Sequence, residues 1–199
     1  MKKLLFIAAF TFITAHVSGQ DLHFSQFNAS PLNLNPSLPG LFEGDYRFVV
    51  NQRSQWGSVT DPYQTFSGSY DMKVAPGRIR GGLAGAGIVM NSDKAGDSHF
   101  GTMQGTLLLS WAAKLDKDSL MFLSFGAGAG LVQRSIDYSA LMFDEQFNGD
   151  TYDPDRNTGE TFDRSSYNYF DLSSGINWSY RLTPRKAFSL GTSLYHITS

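Results

Sequence analysis

From Tyr46 onward one pattern repeats: runs of about 10 to 14 residues in which apolar side chains fall at every second position. Successive side chains on an extended backbone point to opposite sides, so this alternation makes strands with two unlike faces. The expected strands are 46–52, 63–72, 82–91, 101–112, 120–134 and 168–181, with a seventh starting near Ala187. In the second, Phe66, Tyr70 and Met72 oppose Thr65, Ser67 and Ser69. In the sixth, Phe170, Leu172, Ile176, Trp178 and Tyr180 oppose Asp171, Ser173, Gly175, Asn177, Ser179 and Arg181. Length decides what such strands build. Strands of globular proteins usually run about 5–6 residues, whereas a tilted strand crossing a bilayer needs about 9–11. The expected fold is therefore all-β, an antiparallel transmembrane β-barrel, in preference to a soluble sandwich or a lipocalin-like fold.

The connections point the same way. Those after strands two, four and six, at 73–80, 114–117 and 181–186, are short and carry basic residues. Those after strands one, three and five, at 56–62, 92–100 and 135–167, are expected to be longer. Short turns on the periplasmic side and longer loops outside are the habit of outer-membrane barrels. The 20 glycines, 14% aromatic and 41% hydrophobic residues suit strands with lipid on one side and a polar lumen on the other. Gly126, Gly128 and Gly130 share the second face of strand five, which fits a crowded interior or a barrel corner.

The first residues set the compartment. Met1-Lys2-Lys3, an apolar run from Leu4 to Ala15 and the small residues near Gly19 form a signal peptide over 1–19, cut before Gln20. The run is shorter than the roughly 20 residues a membrane-crossing helix needs. No cysteine follows it to carry a lipid. Residues 20–45 form a leader, placed in the periplasm by the loop parity. Its prolines and asparagines read as an ordered loop; a plug in the lumen or a cap on the periplasmic mouth are the other readings. Residues 46–199 form the barrel. Seven strands do not close a bacterial barrel of even strand number, so the chain is expected to be the N-terminal part of a longer barrel, or one of several copies that share one.

Chemistry is sparse. With no cysteine there is no disulfide, thiolate metal site or thiol redox centre. A net charge of −2 argues against a nucleic-acid partner. His23, His99 and His196 follow no metal-binding spacing, and no nucleophile elbow occurs. The glycine-rich stretch 81–87 lies within a strand, without the helix a phosphate cradle requires. The loop 143–163 holds Asp144, Glu145, Asp150, Asp153, Asp155, Glu160 and Asp163. It lacks the spacing of a calcium-binding EF-hand loop and reads as a solvated external loop. Phe143, Phe147, Tyr152 and Phe162 within it point to packing on itself or on a partner. Arg53 and Trp56 end the first strand, with Trp56 as an interfacial anchor and Arg53 paired to Asp71 across the hairpin. No catalytic, cofactor-binding or metal site is expected, and no cofactor.

Several stretches resemble one family in order along the chain. They are Gln20-Asp21-Leu22-His23-Phe24-Ser25-Gln26-Phe27, then Leu34-Asn35-Pro36-Ser37-Leu38-Pro39-Gly40, then Asn51-Gln52-Arg53-Ser54-Gln55-Trp56. Tyr63-Gln64-Thr65-Phe66-Ser67-Gly68-Ser69-Tyr70-Asp71 follows, then the stretch 87–97, then Phe170-Asp171-Leu172-Ser173-Ser174-Gly175-Ile176 and Tyr195-His196. Together they resemble the type IX secretion system outer-membrane PorP/SprF family of the Bacteroidetes. Ser37 stands where that family usually has Ala, and Pro39 is atypical. The resemblance implies an outer-membrane barrel serving type IX protein export or gliding motility. It also implies as partners other envelope components of that machinery, secreted adhesins and outer-membrane lipid. A general porin or small-solute channel is the alternative function, and a lipid-acting barrel enzyme a third.

Overall fold

The computed structural model describes residues 24, 26–58, 62–76, 81–96, 100–118, 120–162, 164–183 and 186–198. The expected signal peptide, His23, His99 and Asp163 lie outside them. Seven strands follow: β1 (Tyr46–Gln55), β2 (Tyr63–Val74), β3 (Gly82–Ala95), β4 (Phe100–Lys114), β5 (Met121–Ser135), β6 (Ser166–Thr183) and β7 (Lys186–Leu194). Each pairs antiparallel with its sequence neighbour, giving one sheet in the order β1-β2-β3-β4-β5-β6-β7. The sheet is an all-β curled half-barrel. Among the described residues no helix is long and apolar enough to cross a membrane.

The strands outrun the apolar alternation that revealed them. β3 continues through Ser92, Asp93, Lys94 and Ala95, paired with Met103, Thr102, Gly101 and Phe100. Backbone hydrogen bonds extend a ladder regardless of side-chain polarity, so the expected long connection at 92–100 shortens to the four positions between Ala95 and Phe100, the first of which, Gly96, takes φ 62°. The alternation of loop lengths is thus not observed at this connection. The 136–165 segment between β5 and β6 is the long one.

Burial follows the opposite sense to a water-soluble sheet. The buried strand residues are mostly polar: Thr65, Ser67, Ser69 and Asp71 on β2, Asn91 on β3, Thr106 and Ser110 on β4, Ser124 on β5, and Asp171, Ser173 and Asn177 on β6. Their apolar neighbours in sequence are exposed, with Phe48 at 71%, Leu107 at 63%, Leu109 at 67% and Leu131 at 68%. Water would penalise such a surface, since apolar area costs about 25 cal/mol per Å² to leave wet. A hydrocarbon environment removes that cost, and the paired strands satisfy their backbone groups internally as that environment requires. The apolar core of the described residues is correspondingly small: Leu32, Val89 and Leu108.

Curvature is evident at one residue. The Asn33 side-chain amide donates to Ser67 Oγ on β2 at 2.8 Å, while the Asn33 main-chain carbonyl accepts from Tyr195 Oη, just past β7, at 3.0 Å. In a flat sheet β2 and β7 would lie five spacings apart, about 24 Å. Both reach the same residue because the sheet wraps around it.

The outward face makes a direct prediction. Leu107→Arg places a charge midway along the exposed face of β4. In phospholipid vesicles it should lower unfolding stability by about 2–4 kcal/mol, as mid-bilayer Arg does on barrel surfaces, measured by guanidinium titration against Leu107→Ala. A difference between the two below about 0.5 kcal/mol would place that face in water.

Candidate functional site

The segment 26–45 lies within the curl. A single helical turn, α1 (Pro31–Leu34), opens with proline at its first position, where no backbone N–H is lost from the helix. It directs Leu32 onto Val89 and Leu108. From Leu34 the chain runs across the strands along one register row: Gly85 on β3 pairs Ser110 on β4, Ser110 pairs Gly126 on β5, Gly126 pairs Gly175 on β6, and Gly175 pairs Ser193 on β7. From β3 to β7 every residue in that row is Gly or Ser; on β2 the row continues to Lys73.

Each position of the row meets a successive part of the leader. Ser193 Oγ donates to the Leu34 carbonyl at 3.1 Å. Gly175 lies against Asn35, Gly126 against Pro36 and Ser37, and Gly85 against Pro39; a Cβ on any of the three would overlap those atoms. Ser110 Oγ donates to the Pro39 carbonyl at 2.7 Å. Glycine is required here for close backbone approach.

Polar groups along the leader find partners in the wall. Asn35 Nδ2 donates to the carbonyls of Ile176 and Thr192 at 3.1 and 3.2 Å, and Asn35 Oδ1 accepts from the Ser37 N–H at 2.9 Å and Ser37 Oγ at 2.8 Å. Asn91 Nδ2 donates to Asn33 Oδ1 at 2.9 Å. Asn51 Nδ2 donates to the Ala29 carbonyl at 3.1 Å. The leader therefore holds all seven strands, directly or through its neighbours.

Its exit is fixed by an ion pair. Asp71, 1% exposed, takes Arg47 Nε on Oδ1 and Arg47 Nη2 on Oδ2, both at 2.9 Å, and also accepts the Gly40 N–H at 2.9 Å. The Arg47 guanidinium lies 4.6 Å from the Phe42 ring centroid, a favourable cation–π arrangement. The expected partner of Asp71 was Arg53. The hairpin register places Arg53 opposite Thr65 and Arg47 opposite Asp71, so Arg53 stands six residues, about 20 Å, along the strand from Asp71. Trp56, just beyond β1, sits edge-on to Tyr63 with centroids 5.3 Å apart.

The loop between β5 and β6 packs on itself. Tyr138 stacks on Phe162 at 3.9 Å and Phe143 joins them at 5.4 Å. Buried Gln146 organises the rest: Oε1 accepts from the Phe143 N–H at 3.2 Å and Tyr152 Oη at 3.3 Å, and Nε2 donates to the carbonyls of Pro154 and Arg156. Met142 is 77% exposed and Phe147 53%. The described acids of this loop are dispersed. No group of three His, Asp or Glu side chains suited to one metal ion occurs among the described residues. His196 Nδ1 lies 3.1 Å from Asp171 Oδ2 on β6.

A family model described as type IX secretion system membrane protein PorP/SprF matches residues 16–199. The chain belongs to the PorP/SprF family. No curated protein and no solved structure matches it. A PorP/SprF protein is a membrane component of the type IX secretion system, and the family is not a known enzyme family. The β-rich architecture, with its apolar outer face and polar inner face, agrees with that membership.

Two predictions follow from this geometry. Asp71→Asn strands the Arg47 charge and should destabilise the protein by about 3 kcal/mol; adding Arg47→Met should recover part of that loss, and a denaturation double-mutant cycle reads the coupling. Gln146→Ala removes four buried polar contacts from the loop. At about 1–2 kcal/mol it should raise protease cleavage within 144–156 about tenfold while leaving the guanidinium midpoint of the strands in place.

Proposed function

We propose that this protein is a non-enzymatic outer-membrane component of the type IX machinery that supports export or surface attachment of cargo such as adhesins, and through them gliding motility. The family match over 16–199 carries this reading. The exposed apolar face of the strands supports a bilayer location, and a strand-built span within lipid must be a closed barrel, the form typical of outer membranes. In this reading the ordered β5–β6 loop, with Met142 and Phe147 outward, is offered to partner proteins of the envelope, while the turns at the other end face the periplasm.

Affinity purification of the tagged full-length protein from native outer membranes in mild detergent tests the proposal. Secretion-machinery components or a large adhesin should co-purify, and deletion should abolish adhesin display without changing small-solute permeability. A barrel that purifies alone and whose deletion lowers solute uptake would replace this reading with that of a porin.

A further inference from the structure

We propose that residues 34–40 are a resident plug that seals the lumen lined by these strands. The proposal rests on the seating of the leader and is independent of which cargo the machinery handles.

The wall is cut to receive the plug. The neighbouring inward rows mix sizes: Asp71 and Leu108 share one with Gly87 and Gly128, and Leu83 and Asn177 share the other with Ser124 and Gly191. At the level of Gly85, Ser110, Gly126, Gly175 and Ser193 all five are Gly or Ser, and the leader lies along this row. A ring of small residues would open a passage if nothing filled it. Here the backbone of Pro36, Ser37 and Pro39 lies against Gly126 and Gly85, and the Asn35 side chain against Gly175, so close that a methyl group on any of the three glycines would not fit.

The leader separates two cavities of very unequal size. On the side of Leu32 a cavity of about 20 Å³ remains, bounded by Leu32, Asn33, Val89, Thr106, Leu108 and Ser173. That accommodates about one water molecule. Thr106 Oγ1 and Ser173 Oγ are buried there without a protein partner, so a single bound water has hydroxyls to bridge. On the other side a cavity of about 560 Å³ opens between Leu38, Leu41 and Phe42 and the wall residues Phe122, Ser179 and Tyr180. The leader, from Asn33 to Leu38, separates the two. Hydrogen bonds to both ends of the row and the Asp71 bond to Gly40 hold the segment in place.

Planar-bilayer recording with the full-length protein is the test. The wild type should give no sustained current, and Gly126→Val with Gly175→Val, which deny Pro36 and Asn35 their places, should give discrete channel openings. A wild type that conducts steadily overturns the proposal, as does a folded variant that stays silent, because something other than the leader would then close the lumen. Heat-modifiable migration on gels checks that the variant is folded. The absence of native cysteine permits a second measurement that does not perturb the row. A cysteine replacing Ser37, which is 0% exposed, should react with a membrane-impermeant maleimide at least about tenfold more slowly than one replacing Lys117, because it reacts only through opening. Equal rates would overturn the plug.

Discussion

A strand face turned toward lipid leaves the opposite face to carry the polar residues, and those residues then need partners. In this protein the requirement is met by the chain itself. Ser110, Asn91 and Asp71 are buried with relative exposures of 9%, 4% and 1%, and each bonds the leader. An unpaired buried polar group costs about 1–3 kcal/mol, so several unmet groups would consume much of the roughly 5–15 kcal/mol by which a typical protein is stable. Leader and wall are therefore one structural unit: the wall supplies recesses and donors, and the leader supplies carbonyls and amides at matching spacing.

Asn35 shows how closely the two are matched. Its amide nitrogen bridges carbonyls of β6 and β7, and its amide oxygen turns back to Ser37. Aspartate would lose the donors that reach Ile176 and Thr192, and leucine would lose all four bonds while burying two carbonyls without them. Pro36 and Pro39 contribute differently. Each takes the second position of a tight turn, closed by the Leu38 N–H on the Asn35 carbonyl and by the Leu41 N–H on the Leu38 carbonyl, so that carbonyls face Gly126 and Ser110 without the leader offering N–H groups that would have no acceptor there.

Strand number, order and facing were legible in the sequence because period-two alternation is a local signal. The inward set, Thr65, Ser67 and Ser69, and the outward set, Phe66, Tyr70 and Met72, are those the alternation separates. The short connection between β3 and β4 was not, since Ser92 to Ala95 look like loop residues and join the ladder through backbone bonds. Arg53 was misassigned to Asp71 because pairing partners in a hairpin depend on register, which side-chain identity constrains only weakly. The small-residue row was the largest omission. The glycines of β5 stood out as a crowded interior, yet Gly85, Ser110, Gly126, Gly175 and Ser193 are spread over more than a hundred positions, and their common level appears only once all five strands are in register. The leader itself reads as a loop because its partners are distant side chains, and no local pattern encodes them.

That distance has a consequence for assembly. The seven strands pair only with sequence neighbours, so each hairpin closes a short loop at modest entropic cost, apart from the β5–β6 connection. The leader's bonds run the other way: Asn33 to Tyr195 spans 162 residues and Leu34 to Ser193 spans 159. These contacts have no partners until β6 and β7 have joined the sheet. The row they occupy is complete only at that point, with β7 supplying Ser193 and the carbonyl of Thr192. The physical order is thus hairpins first, curvature next and leader last. The residues that accept the leader are the same small residues that let the strands approach it, so close packing and the bonds of Ser110, Ser193 and the Thr192 carbonyl form together.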